Sequence, residues 1–118
     1  MNIGDSSIRQ PRIGEAAYYL AKGTVPGMTR MLAVELAARN PAVRVNAILP
    51  GSVMAPGSST ETQRQQRRSE TLTQTADDPT SLINAIRYLT ASAHVTGTCL
   101  TIDGGRGINR AAAASQCE

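Results

Sequence analysis

The sequence has 118 residues, a length for one small domain, with 41% apolar residues and a net charge of +3. Its aromatics are Tyr18, Tyr19 and Tyr88 alone, so a core must be built from Leu, Ile, Val, Met and Ala. Eleven of the twelve basic residues are Arg, and their one cluster, Arg64, Arg67 and Arg68, has no interleaved aromatics to stack bases; it reads as a solvated helix face, and no nucleic-acid partner is expected.

Along the chain, Asn2-Ile3-Gly4 reads as the end of a strand, and the polar stretch from Asp5 to Gly14, with Pro11, reads as a loop. Glu15 to Arg39 reads as a long helix. Ala17, Ala21, Val25, Met28, Leu32 and Leu36 form one apolar stripe, and Leu20, Gly27, Met31, Val34 and Ala38 form a second beside it. Two stripes imply burial on two sides, one against a sheet and one against another helix. Pro26 removes the hydrogen bond to the Lys22 carbonyl and is expected to bend the helix locally. Gly23 and Gly27 would admit a close partner backbone, or are small residues tolerated beside the proline.

Asn40-Pro41 ends the helix. Arg44 to Leu49 is a short strand stopped by Pro50-Gly51. A loop from Ser52 to Thr60 precedes a short polar helix, Glu61 to Thr71. Asp78-Pro79 is an N-cap with Pro at the first helical position, and Leu82, Ile83, Ile86 and Leu89 make the helix amphipathic. Cys99 to Ile102 is a last strand, closed by Asp103-Gly104-Gly105, a turn signal. The Ala-rich tail from Arg110 to Glu118 is expected to be disordered. Strands alternating with helices argue for a parallel sheet with helical cover.

Cys99, Cys117 and the single His94 show no metal-ligand spacing, so no metal site is expected, and reduced thiols fit a cytoplasmic protein. No basic segment leads into an apolar run at the N-terminus, and no apolar stretch is long enough to span a bilayer; neither a signal peptide nor a membrane partner is expected.

The chemistry-bearing pair is Tyr18 and Lys22. Four residues apart on a helix, they share one face. A nearby ammonium stabilises a phenolate, and a tyrosine so placed can exchange a proton near neutral pH. Tyr19 is rotated about 100° away. Such a pair also arises by chance in many helices, so the spacing alone does not identify a site.

The wider segment AAYYLAKGTVPGMTRMLAVELAARNPAVRVNAILPGSV, with Thr96-Gly97 and Asp103-Gly104-Gly105 after it, resembles the short-chain dehydrogenase/reductase family. That family places a Tyr-x-x-x-Lys pair at the start of a long helix, then Arg-Val-Asn, Pro-Gly, Thr-Gly and Asp-Gly-Gly; here these are Tyr18/Lys22, Arg44-Val45-Asn46, Pro50-Gly51, Thr96-Gly97 and Asp103 to Gly105. The resemblance runs from Asn2 to Gly105. It implies an α/β fold, the C-terminal half of a Rossmann-like doubly wound parallel sheet, with about three strands and two main helices over residues 1–109.

By this resemblance Tyr18 is the proton donor. Lys22 lowers its pKa and holds the ribose hydroxyls of a nicotinamide cofactor, NADP or NAD, with NADP favoured. Pro50, Gly51, Ser52 and Val53 line the nicotinamide, with Val53 at the carboxamide. Met54-Ala55-Pro56 stands where the family often has a cofactor-binding Thr. Most members carry a Ser thirteen residues before the Tyr, and here that position is Asp5, as in the pteridine reductases of the family; the alternative is Ser6 or Ser7 after a small loop shift. Asp5 would hydrogen-bond an amino-substituted ring, or relay a proton to its nitrogen, where Ser would orient a carbonyl. Asn46 is expected to fix backbone geometry.

The glycine-rich pyrophosphate loop of the family is not found in these residues, nor is the residue that selects NAD or NADP. The implied function is an NAD(P)(H)-dependent oxidoreductase acting on a small molecule, with this fragment inactive alone and its first strand leaving an open sheet edge. The alternative is a non-catalytic pseudoenzyme acting as a dimerisation fragment. Either way, homo-oligomerisation through the helix Glu15 to Arg39 is expected.

Overall fold

The computed structural model describes residues 1–109; the tail from Arg110, read as disordered, lies outside the described residues. The elements are β1 (Asn2–Ile3), α1 (Ala16–Arg39), β2 (Ala47–Pro50), α2 (Glu61–Ser69), α3 (Pro79–Ala91) and β3 (Cys99–Ile102), with 3₁₀ turns at Ser6–Arg9 and Arg106–Ile108. The three strands form one sheet in the order β1-β2-β3. Both pairings are parallel, with Asn2 opposite Ala47 and Ala47 opposite Cys99.

β2 is the central strand, and Ala47, Ile48 and Leu49 are all buried, as a parallel strand covered on both faces requires. Ile48 packs with Ala85 and Leu89 of α3, ringed by Leu82, Ile86, Val95, Leu100 and Ile102. Leu49 points to the opposite face. There it and Val25 of α1 close on Gly4, where a Cβ would collide with the Leu49 side chain. Two helices thus cover the sheet, α1 on one face and α3 on the other.

The face that α1 buries differs from the expected stripe. Val25, Thr29 and Ala33 are buried, whereas Met28 is exposed. Thr29 tolerates complete burial because its hydroxyl is satisfied: it donates to the Val25 carbonyl (2.8 Å) and accepts from Asn2 Nδ2 (3.1 Å). That bond ties α1 to the first strand. The second stripe faces solvent, with Leu20 74%, Val34 71% and Met31 63% exposed. A Cβ on Gly23 or Gly27 would meet nothing within 4 Å. The helix runs on through Pro26.

β2 begins later than expected, at Ala47; before it, Val45 N donates to the Thr96 hydroxyl (3.1 Å) rather than to a strand carbonyl. The Arg44 guanidinium donates to the carbonyls of Leu89 (2.8 Å), Thr90 (2.9 Å) and Val95 (3.1 Å), capping the end of α3. Asn46 donates to Val95 O (2.8 Å) and accepts from Thr98 N (3.2 Å), the backbone-fixing role expected of it. Asp78 caps α3 by accepting from Ser81 N (3.1 Å). α2 opens with a Thr60/Gln63 capping box and buries no residue. Arg64 and Arg67 nevertheless turn inward, and Arg67 Nε lies 3.5 Å from Asp77 Oδ2, so only part of the arginine cluster is a solvated face.

Candidate active site

The C-terminal ends of β1 and β2 open onto a cleft of about 310 Å³, the place where ligands settle on parallel sheets. Asp5 stands just beyond β1 and starts the first 3₁₀ turn by accepting from Ser7 N (2.7 Å). Tyr18, in the first turn of α1, donates its hydroxyl to Asp5 Oδ2 at 2.5 Å. Tyr19 points elsewhere and donates to the Ile8 carbonyl, strapping α1 to that turn. Both the Asp5 and the Ser6/Ser7 alternatives lie at the cleft, but the Tyr18 hydroxyl meets Asp5, while Ser6 is buried.

Gly51 and Ser52 line the same cleft. Gly51 carries no side chain for a steric reason: a Cβ there would lie 2.9 Å from Asp103 Cα. Ser52 donates to Asp77 Oδ1 (2.8 Å). Pro50 closes β2, and Val53 lines a neighbouring cavity with Asp77 and Thr71. Lys22 is not part of the cleft lining; its Nζ reaches the Ile3 carbonyl at 3.4 Å.

The electrostatics follow from these contacts. Burial pushes the Asp5 carboxyl up, but hydrogen bonds from Tyr18 and Ser7, with the positive charge of Lys22, outweigh it and leave the pKa below the ordinary carboxylate value. The Tyr18 phenol is pushed up to about 12, first by its hydrogen bond to Asp5, then by burial and by the charges of Asp5 and Glu15. The expected lowering by Lys22 is therefore reversed here: a carboxylate in direct contact outweighs an ammonium that faces a carbonyl. At neutral pH the phenol is protonated and able to donate.

Sequence reasoning missed Gln10, Arg12, Glu15, Arg106 and Gly107, which also line the cleft. The Asp-Gly-Gly turn was the available signal for the last two. Gly104 and Gly105 adopt left-handed φ of 61° and 80°, and Asp103 accepts from Gly105 N and Gly107 N, each at 2.9 Å. That turn swings residues 106–108 back to the cleft. His94 is exposed in a loop, Cys99 is a free thiol, and no group of three or more acidic, His or Cys residues is placed to hold a metal among the described residues. No helix among them is long and apolar enough to cross a membrane.

Residues 3–106 match the family model described as enoyl-(acyl carrier protein) reductase, a short-chain dehydrogenase/reductase model. The chain belongs to the short-chain dehydrogenase/reductase family. Among relatives in this family, pteridine reductase 1 of Leishmania tarentolae is 32% identical over 114 residues, covering 94% of this chain and 39% of the relative. A dihydromonapterin reductase of Klebsiella pneumoniae is 34% identical over 106 residues, covering 90% of this chain and 43% of the relative. The crystal structure of FolM alternative dihydrofolate reductase 1 from Brucella canis, complexed with NADP, superposes with a TM-score of 0.76 at 27% identity, over 91% of this chain and 42% of that one. The chain thus spans about two fifths of the length of these short-chain dehydrogenase/reductase relatives, and its three parallel strands correspond to part of their Rossmann sheet.

Proposed function

We propose that the chain carries the proton-transfer half of an NAD(P)(H)-dependent oxidoreductase that reduces a pteridine-like ring. The observation that carries this reading is the direct hydrogen bond from Tyr18 to Asp5 at the mouth of the cleft. A planar ring with amino and imino groups offers N–H donors to the Asp5 carboxylate, while the protonated Tyr18 supplies the proton that a ring nitrogen gains as the adjacent carbon is reduced. The bound nicotinamide supplies the hydride. Its ribose fits the polar groups present: among the described residues Lys22 Nζ is engaged by a 3.4 Å contact to Ile3 O, which leaves N–H donors for hydroxyls, and Ser52, whose proton goes to Asp77, offers its oxygen as an acceptor. NADP is favoured over NAD by the likeness to the Brucella canis protein, which is described as an NADP complex. A cytoplasmic setting fits the free Cys99 thiol.

A second reading is supported by the exposed stripe Leu20, Met31 and Val34: a non-catalytic fragment that associates through α1 with a second copy of this chain. Self-association through this face is equally compatible with the enzyme.

The test joins the chain to a nucleotide-binding half and follows NADPH oxidation with dihydropterin. Tyr18→Phe is expected to abolish turnover while the circular dichroism spectrum is retained; surviving activity removes Tyr18 from the mechanism. Asp5→Ser is expected to lower pterin reduction more than carbonyl reduction, and equal losses would count against a pteridine substrate.

A further inference from the structure

We propose that Arg106 limits the length of substrate the cleft accepts, and that Glu70 is its positioning residue; the inference rests on the pteridine reading above. Three cavities meet at this point. The cleft with Asp5 and Tyr18 holds about 310 Å³, the cavity with Val53 and Asp77 about 150 Å³, and a third, between the 52–59 loop and α2, about 400 Å³. Ser52 and Arg106 line all three, so together they are the wall between them.

The wall is held at both ends. The backbone of Arg106 lies in the turn built by Asp103, donates its own N–H to Asp103 O (3.1 Å), and accepts at its carbonyl from Gln10 Nε2 (3.2 Å). Its guanidinium Nη2 lies 2.6 Å from Glu70 Oε2, with the two side chains only 26% and 18% exposed. A charge-assisted pair that is this short and this covered holds its geometry better than a surface ion pair.

Glu70 ends α2, and α2 buries no residue of its own. Polar links therefore seat its last turn: Arg106 to Glu70 at 2.6 Å, Asn109 Nδ2 to the Glu70 carbonyl at 3.0 Å, and the looser Arg67 to Asp77 contact at 3.5 Å. A ring held against Asp5 and Tyr18 stays within the cleft. A long substituent on that ring passes Ser52 only by displacing Arg106 from Glu70. The ion pair thus sets a boundary on length, and opening it joins the cleft to the 400 Å³ cavity.

Pterin and folic acid share a ring and differ in the length of its substituent. The full chain is titrated with each by fluorescence, alongside amide hydrogen exchange of residues 61–69. The wild-type chain is expected to prefer pterin by about tenfold, and Arg106→Ala to erase most of that preference. Glu70→Gln moves the ratio the same way by a smaller factor. Arg106→Lys, which keeps the charge and shortens the reach, serves if the alanine variant does not fold. Both Glu70→Gln and the Arg106 variant are expected to speed exchange in α2. A pterin-to-folate ratio unchanged in both variants, or α2 exchange unchanged in both, overturns the proposal. A wild-type chain that binds neither probe has no length preference to set and overturns the proposal, while the pteridine reading stands or falls separately on turnover of the chain joined to its nucleotide-binding half.

Discussion

Replacing Asp5 with Asn takes a negative charge from a position 2.5 Å from the Tyr18 hydroxyl and leaves a side chain of the same shape. Asn is also a good cap, so the bond to Ser7 N that starts the 3₁₀ turn is preserved. The perturbation is therefore electrostatic. With Asp5 in place the phenol is pushed up to about 12, against an unperturbed 10.0. Tyr18 is 44% exposed, so solvent and salt trim the effect, and the variant is expected to titrate about one to two pH units lower. ¹³C-tyrosine NMR across alkaline pH reads this directly, with Tyr18→Phe assigning the resonance. The signs of the linked stability changes are opposite. The raised Tyr18 pKa stabilises the fold fully below pH 10 and the benefit is lost as pH climbs towards 12. The lowered Asp5 pKa stabilises it above the unfolded value of 3.8, and that benefit is lost as pH falls through the folded value. Asp5→Asn should flatten both limbs. A Tyr18 midpoint that stays where it is would show that the carboxylate does not control the phenol.

Arg44→Met removes the donors to two carbonyls at the end of α3 and to that of Val95 in the loop after it while keeping an apolar stem, and is expected to cost about 2–3 kcal/mol in urea denaturation. Val34→Glu places a charge in the exposed stripe of α1; if that stripe pairs copies of the chain, sedimentation should show association weakened about tenfold or more, with the fold unchanged.

Much of this protein could be read locally. The Asp78-Pro79 start of α3, the unbroken apolar run of β2 and the Tyr18/Lys22 spacing are short-range patterns, and each became the element or helix position expected. Local pattern could not choose between neighbouring faces of α1. Met28 is the more apolar residue, yet Thr29 is buried, because Asn2 of the adjacent strand supplies its hydrogen-bond partner. The state of the Tyr18/Lys22 pair was likewise a tertiary matter. Periodicity put Tyr18 and Lys22 on one face, but the turn after β1 brought the Asp5 carboxylate to the phenol and left Lys22 against Ile3. Arg106 makes the same point at longer range. It is bonded through its carbonyl to Gln10, 96 residues away, and its place in the cleft depends on strand order and on the turn after β3. Helix identity follows from the 3.6-residue period of the chain and strand identity from short apolar runs between turn signals, whereas which charges meet is decided only when strands distant in sequence lie side by side.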